Sequence, residues 1–130
     1  ALARCGNPEA MKFLRTEVIS HEDPEVYKLA AWILGRIGDD SDIALLKRHL
    51  KRCPDELTRA YFHNSLATLG DKDGLAALAK SLTSDDPAVR TYGATFAGDA
   101  RAFAVKAALL KMLDDPHAEP GTVRLSRCWI

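Results

Sequence analysis

The stretch DPEVYKLAAWILGRIGD, residues 23–39, decides the fold because it holds one amphipathic helix between a helix-start signal and a helix-stop signal. Asp23 suits the N-cap, and Pro24 suits the first helical position. The apolar residues that follow recur with the 3.6-residue period of a helix: Val26, Leu29, Ala30, Ile33, Leu34 and Ile37. Gly38 is predicted to end the helix with a positive φ, and Asp39 to begin the next turn.

The six-residue segment at the end of this stretch recurs at a spacing of 32 residues. LGRIGD, residues 34–39, returns as LATLGD at 66–71 and is preceded by LARCGN at 2–7. The same shift aligns apolar residues of a second helix, in the sets Met11, Ile43 and Leu75; Phe13, Leu45 and Ala77; Leu14, Leu46 and Leu78; and Val18, Leu50 and Leu82. Each unit is therefore a helix, a Gly-Asp turn, a second helix and an Asp-Pro turn.

One such hairpin cannot bury both of its apolar faces, whereas stacked neighbours bury a continuous core. The sequence therefore predicts an all-α fold, an α-α superhelix (solenoid) of stacked antiparallel helical hairpins with repeats of about 32 residues. The aromatic residues of the helices are expected in that core: Trp32, Tyr61, Phe62, Tyr92 and Phe96. The predicted single domain, 1–130, divides into a partial unit 1–22, units at about 23–53, 54–84 and 85–114, and a partial unit 115–130.

The third full unit departs from the repeat. Its segment from valine to glycine, residues 89–98, advances nine positions where the corresponding segment of the first full unit, 26–38, advances twelve. The first helix there is expected to be about one turn shorter, and the helix that follows, 100–113, correspondingly longer. Gly93 lies inside the shortened helix at a cost of about 1 kcal/mol relative to alanine.

The two ends of the chain break the pattern in another way. VRLSRCWI, residues 123–130, echoes VYKLAAWI, residues 26–33, so the chain stops inside the first helix of a further unit. Neither end carries the polar cap that closes a solenoid. We therefore expect either a fragment of a longer array or an array whose ends are disordered. Exposure of Trp129 and Ile130 at an uncapped end would favour self-association through the ends.

These landmarks resemble HEAT repeats, in particular the short type named after the phycobilisome lyases (PBS-lyase HEAT-like). The residues behind the resemblance are 23–39 and DDPAVRTYGATFAGD, residues 85–99, with Asp-Pro, Val-x-Lys/Arg and Gly-Asp in the same order. The resemblance covers nearly the whole chain and implies an armadillo-like solenoid whose second helices line the concave surface. It implies no single activity, because such repeats serve many unrelated roles.

Composition narrows the class of protein. Nearly half of the residues are apolar and 28% are charged, which indicates a globular chain. Lysine plus arginine equals aspartate plus glutamate, 18 each, so nucleic-acid binding, which favours a cationic excess, is not expected. No apolar run approaches the roughly 20 residues that cross a bilayer, so no membrane partner is expected. The odd cysteine count (Cys5, Cys53 and Cys128) favours a reducing compartment, and we expect a cytoplasmic protein.

Basic residues recur on the second helices. KRHLKRC, residues 47–53, is the densest cluster, and its cations lie four residues apart on a helix face. Arg15, Lys47 and Lys80 take equal or adjacent positions in successive repeats. The full predicted partner-binding row is Arg15, Lys47, Arg48, Lys51, Lys80 and Lys111. This row is either a solvated helix face or a groove that attracts an acidic or phosphorylated protein partner.

Other titratable residues offer weaker candidate sites. The aspartates at the turns, among them Asp39, Asp71 and Asp86, either cap helices or form a dimetal carboxylate site, and capping is the simpler interpretation. His49 and Cys53 are four residues apart, a spacing that suits metal ligation, thiolate activation or an incidental structural role. Two ligands do not make a metal site, so we expect neither a metal nor a cofactor.

One enzyme family can be compared directly. Deoxyhypusine hydroxylases are HEAT-like enzymes that hold two irons with paired His-Glu motifs inside their helices. At the corresponding positions this chain has Lys28-Leu29 and His63-Asn64. His21-Glu22 lies alone in the preceding loop. The di-iron hydroxylase interpretation therefore fails.

Three hypotheses for function follow. No GxSxG, phosphate-cradling glycine loop or HExxH motif appears, which favours a non-enzyme. The leading hypothesis is a non-catalytic protein–protein interaction scaffold that binds a partner on the concave face formed by the second helices. The phycobilisome-lyase resemblance implies an alternative, a lyase-type or chaperone-type subunit acting on a bilin-carrying protein. DNA binding of the kind seen in HEAT-like alkylpurine glycosylases is the third, which the basic row supports and the neutral net charge disfavours.

Overall fold

The computed structural model describes residues 2–100 and 103–114, and every regular element in these residues is helical. The α-helices are α1 (Pro8–Phe13), α2 (Pro24–Ile37), α3 (Asp42–Leu50), α4 (Glu56–Thr68), α5 (Lys72–Ser81), α6 (Pro87–Asp99) and α7 (Lys106–Lys111). Short 3-10 segments cover Leu2–Cys5, Phe103–Val105 and Met112–Asp114, and a π-helical segment, Leu14–Val18, continues α1. Among the described residues, no helix combines the length and the apolarity needed to span a membrane. The predicted partial unit 115–130, with Trp129 and Ile130, lies outside the described residues.

Aspartate side chains cap four of the described helices, α2, α4, α5 and α6. Each of these carboxylates accepts a backbone N–H two or three residues further on, at 2.7–2.9 Å, and the cap residues are Asp23, Asp55, Asp71 and Asp86. Pro24 and Pro87 follow two of the caps at the first helical position. The capping interpretation is therefore confirmed for Asp71 and Asp86, because each satisfies an N–H that a helix start leaves without a partner.

The helices pair into hairpins, and the hairpins stack. A first helix (α2, α4 or α6) is followed by a second helix (α3, α5 or α7), and α1 is the second helix of the preceding partial unit. Helix α4 packs against α2 on one side, against α6 on the other and against its own partner α5. Leu14, Leu46 and Leu78, which the repeat places in equivalent positions, are all buried in successive second helices. The chain is therefore an all-helical solenoid of HEAT-like hairpins, as predicted.

Successive first helices approach most closely at small residues. A Cβ added to Gly35 in α2 would lie 2.7 Å from the Cα of Ser65 in α4. The Ser65 hydroxyl donates a hydrogen bond to the carbonyl oxygen of Ala31 across the same contact, at 2.7 Å. Nearby, the buried rings of Tyr27 and Phe62 meet edge to face with 6.1 Å between their centroids. The α2–α4 junction thus combines near-contact of two backbones with a polar tie and an aromatic pair.

The expected shortening of the third first helix is wrong. Helix α6 has 13 residues, as many as α4 and one fewer than α2. The buried small and apolar positions of α2 recur in α6 in the same order, as Ala30 and Gly93, Ala31 and Ala94, Leu34 and Ala97, and Gly35 and Gly98. Gly98 therefore corresponds to the packing glycine Gly35 and lies inside α6, so no turn is lost. The helix expected over 100–113 is observed in the described residues as α7 (Lys106–Lys111) directly flanked by two 3-10 segments, a helical stretch that runs from Phe103 to Asp114.

Gly38 ends α2 without the predicted positive φ. Its φ is −81° and its ψ is −171°, an extended conformation, whereas Gly6 and Gly70 at the equivalent positions have φ of +77° and +90°. A Cβ on Gly38 would overlap the carboxylate of Asp42 and the carbonyl oxygen of Leu34. Glycine is needed at Gly38 for space and at Gly70 for backbone conformation.

The aromatic residues divide between core and surface. Phe62 and Phe96 are buried, as expected, while Trp32 and Tyr61 are only partly covered. Tyr92 is 38% exposed, so its assignment to the core is wrong. Phe13, on the apolar stripe predicted for α1, is 58% exposed because no further helix of the described residues covers that side.

The close α2–α4 contact makes a stability prediction. Alanine normally stabilises a helix interior by about 1 kcal/mol relative to glycine. We expect Gly35→Ala to do the opposite and to lower the free energy of unfolding by about 1–3 kcal/mol, because its methyl group must push the two backbones apart. Urea denaturation followed by circular dichroism measures this, with the exposed Ala76→Gly in α5 reporting the ordinary propensity difference. A Gly35→Ala variant more stable than the parent would contradict the close approach.

Candidate interaction face on the second helices

Two of the predicted basic residues are held by the next repeat unit. Arg15, in the π-helical segment after α1, donates two hydrogen bonds to the Asp42 carboxylate, with Nε–Oδ1 and Nη2–Oδ2 distances of 2.8 Å each. Its Nη2 also lies 3.1 Å from Oδ2 of Asp39. Asp42 is buried, and hydrogen bonding to Asp42 raises the pKa of Arg15. The guanidinium is therefore committed to a charge-assisted, two-point contact inside the fold.

Lys47 makes the equivalent contact one repeat later. Its Nζ lies 2.6 Å from Oδ1 of Asp71 and 2.9 Å from Oδ2 of Asp73, and hydrogen bonding to Asp71 raises the pKa of Lys47. The pair of Arg15 and Asp39 recurs with the repeat as the pair of Lys47 and Asp71. The acid follows the cation at the same distance along the chain in both cases, a regularity that is present in the sequence and that the sequence analysis missed.

The other predicted cations are exposed and remain available. Within residues 2–100 and 103–114, none of their side chains makes a hydrogen bond or an ion pair: Arg48, Lys51, Lys80 and Lys111. The structure thus divides the predicted row into a bound pair, which joins repeat units, and a free set, which faces solvent.

Three of the free cations occupy one structural position. Helices α3 and α5, and α7 with the 3-10 segments beside it, bury residues at spacings of four and then three. These triads are Asp42, Leu46 and His49; Gly74, Leu78 and Ser81; and Val105, Leu109 and Met112. Arg48, Lys80 and Lys111 each directly precede the last residue of a triad. Helical geometry therefore gives them the same direction relative to the buried face of their own helix. We call Arg48, Lys80 and Lys111 the free basic row, and Lys51 lies three residues beyond Arg48 on the same side.

His49 and Cys53 do not form a reactive site. Both are buried, and the Cys53 Sγ contacts the carbonyl oxygen of His49 at 3.9 Å. Burial raises the pKa of Cys53 to about 11, so the thiol is protonated at neutral pH and is a poor nucleophile. Burial lowers the pKa of His49, which keeps the imidazole neutral. In the part of the chain that the structure describes, no three metal-ligating side chains lie together.

Clefts on the described surface include one along α2 and one beside α7. The larger, of about 410 Å³, is lined by Arg4, Trp32, Ile33, Arg36 and Ile37. Its Arg36 is already engaged, since the guanidinium lies 4.9 Å from the Trp32 ring centroid and 2.6 Å from a carboxylate oxygen of Asp99. The smaller, of about 290 Å³, is lined by Leu82, Thr83, Ala107, Ala108, Lys111 and Met112. This second cleft lies between α5 and α7, at the end of the free basic row.

Comparison with known families agrees with the stacked hairpins. A family model described as HEAT repeats matches residues 1–64, which hold α1, α2, α3 and most of α4. This match supports a HEAT-repeat protein. No curated protein and no solved structure matches the chain. The free basic row places one cation on the second helix of each of three successive hairpins, the last two of which lie mostly or wholly beyond the matched residues.

The buried thiol makes a reactivity prediction. Cys5 is exposed and Cys53 is buried, whereas Cys128 lies outside the described residues. In a Cys5→Ser/Cys128→Ser variant, we expect the remaining Cys53 to react with a thiol reagent far more slowly in the folded chain than in urea. The matched Cys53→Ser/Cys128→Ser variant should react rapidly in both states. Rapid labelling of Cys53 in the folded chain would overturn its burial.

The inter-unit ion pairs predict how stability depends on pH. Burial opposes the ionisation of Asp71, but hydrogen bonds from Lys47 and from the Gly74 N–H outweigh it and hold the pKa of Asp71 below its usual value. Such a carboxyl stabilises the fold fully above its unfolded pKa, about 4, and loses this contribution as the pH falls through the folded pKa. We expect the urea midpoint to be maintained down to about pH 4 and to fall below it.

A Lys47→Met variant isolates the contribution of this pair. Its urea midpoint should be lower than that of the parent at neutral pH, and its loss of stability in acid should be shallower, because Asp71 no longer gains a cation on ionising. Lys51→Met is the matched control, since Lys51 makes no ion pair within the described residues. Identical acid profiles for the parent and Lys47→Met would rule out the contribution of this pair.

Proposed function

We propose that this HEAT-repeat chain is a non-catalytic scaffold that binds an acidic protein partner on the face formed by its second helices. The observation that carries the proposal is the free basic row, in which Arg48, Lys80 and Lys111 repeat one structural position without an acidic partner in the described residues. Aligned cations on successive helices attract an extended acidic segment and set its register.

The two cations that are already paired have a structural role on the same face. Arg15 and Lys47 belong to the predicted row, but an acidic partner would have to displace a carboxylate that each already holds. A buried carboxylate such as Asp42 cannot be left unpaired without a large penalty. In the proposal, Arg15 and Lys47 therefore fix the spacing of the units, and the free row with Lys51 makes the contact.

A net charge of zero favours a protein partner that is recognised locally over a polyanion such as DNA. The 18 basic and 18 acidic residues cancel over the whole chain, which weakens long-range attraction to DNA. A local row keeps its attraction within about a Debye length, roughly 8 Å at physiological salt. The repeat length and the Asp-Pro and Gly-Asp landmarks support the short PBS-lyase type of HEAT repeat, and the cysteine usage supports a cytoplasmic location.

Charge reversal tests the proposal. A triple variant, Arg48→Glu, Lys80→Glu and Lys111→Glu, removes the free basic row. A second triple variant changes the net charge equally at exposed cations outside it, with Arg4→Glu, Lys72→Glu and Lys106→Glu. Proteins captured from a lysate of the source organism are identified by mass spectrometry for the parent and both variants, after circular dichroism has shown equal folding.

We expect a partner with an acidic segment to be retained by the parent and the control triple and lost from the row triple, with binding that weakens as salt rises. Equal recovery with both triples would move the site off the second-helix face. A labelled DNA duplex that binds the parent in physiological salt, but not the row triple, would favour the nucleic-acid hypothesis. A shift in the absorption of added bilin would favour the lyase-type subunit.

A further inference from the structure

The junction between α5 and α7 differs from the two before it. At the earlier junctions a cation of one second helix reaches an acid of the next unit, through Arg15 and then Lys47. The next residue in this repeat series is Ala79, which has no charge to offer and packs partly buried against the core. The ion pair therefore stops at this junction, and an open cleft of about 290 Å³ lies there instead.

The lining of this cleft is apolar apart from one charge. Side chains of Leu82, Ala108 and Met112 supply hydrocarbon surface, and the Thr83 hydroxyl is occupied because it donates to the Lys80 carbonyl oxygen at 2.9 Å. Among the lining residues, the Lys111 ammonium is the polar group without a partner in the described residues. A cleft near the lower end of the usual range for ligand pockets, about 300–1,000 Å³, suits a single apolar side chain.

Two exposed leucines lie on the helical stretch that forms one wall of the cleft. Of the large hydrophobic residues that stand exposed in the described chain, Leu110 and Leu113 are 40% and 46% exposed, and both lie within two residues of the lining residues Lys111 or Met112. Solvent-exposed leucines next to a concave apolar surface are typical of an interaction site.

The charges beside the cleft indicate which class of partner this surface would bind. Lys80 lies three positions before the lining residue Thr83, on the same side of its helix, and Lys111 lies on the opposite wall. Each flank of the cleft therefore carries a cation of the free basic row that has no partner within the described residues. An apolar side chain alone would leave these charges unused, and an acid alone would leave the hydrocarbon surface exposed. A peptide that places an apolar side chain between carboxylates satisfies both.

We propose that the cleft between α5 and α7 binds an apolar side chain of an acidic peptide, whose flanking carboxylates pair with Lys80 and Lys111. This inference rests on the proposed function and names the partner class of the same face. The apolar side chain supplies the anchor by leaving water, and the free basic row orients the peptide around it.

Two labelled peptides of equal charge test the inference by fluorescence anisotropy. One has a leucine at the centre of a run of glutamates, and the other has a serine at that position. Burial of a leucine side chain in an open cleft should make the leucine peptide bind the parent roughly tenfold more tightly. Ala107→Phe fills the cleft from α7, and Thr83→Phe fills it from the α5 side, both at exposed positions. Ala88→Phe, at an exposed alanine of α6, is the matched control.

The expected result is a leucine preference in the parent and in Ala88→Phe that disappears in both filled variants, while their serine-peptide affinity stays unchanged. Equal binding of the two peptides by the parent would overturn the cleft and leave the proposed basic face standing. A leucine preference that survives both fillings would place the anchor elsewhere and would also overturn the inference. Binding of neither peptide at low salt would overturn the cleft and the acidic-partner function together.

Discussion

The contact between α2 and α4 is the constraint on which the rest of the structure depends. Gly35 brings the backbones of the two helices so close that a methyl group would meet the Cα of Ser65, and the Ser65 hydroxyl ties the helices together through Ala31. The close contact of the α2 and α4 backbones fixes how the first helices stack. The hairpin turns then determine where the second helices lie. Equivalent residues of α3, α5 and α7 consequently present equivalent faces, and a row of side chains can form across separate helices.

The basic residues of the second helices show how one kind of side chain can serve both cohesion and recognition. Arg15 reaches a buried carboxylate, so its charge is compensated where water cannot do so. One turn of helix separates Lys47 from Lys51, yet Lys47 is committed to Asp71 while Lys51 faces solvent. Position relative to the next repeat, and not residue type, decides which cations are available to a partner.

The sequence predicted the fold well because the fold follows from local and periodic signals. Asp-Pro caps, apolar periods and one constant repeat shift were enough to place α2 to α5 and the buried leucines Leu46 and Leu78. The sequence-based prediction failed where glycine can be required for either of two physical reasons, a turn or close packing. The Gly-Asp pattern assigns Gly98 to a turn, but Gly98 is the packing equivalent of Gly35, and only the buried face of α6 distinguishes the two roles. The ion pairs and the α5–α7 cleft depend on three-dimensional junctions between units, which a one-dimensional period does not specify.

The junction at which the series of ion pairs ends is also the junction that holds the cleft. Ala79 takes the position of Lys47 in the next repeat and offers no cation to the following hairpin. In the described residues this junction is packed through a core cluster that includes Leu82, Leu109 and Met112. Small side chains of α7, Ala107 and Ala108, line the cleft, and Lys80 and Lys111 have no partner within the described residues. The junction without the structural ion pair thus carries both features that the proposed acidic peptide with an apolar anchor requires.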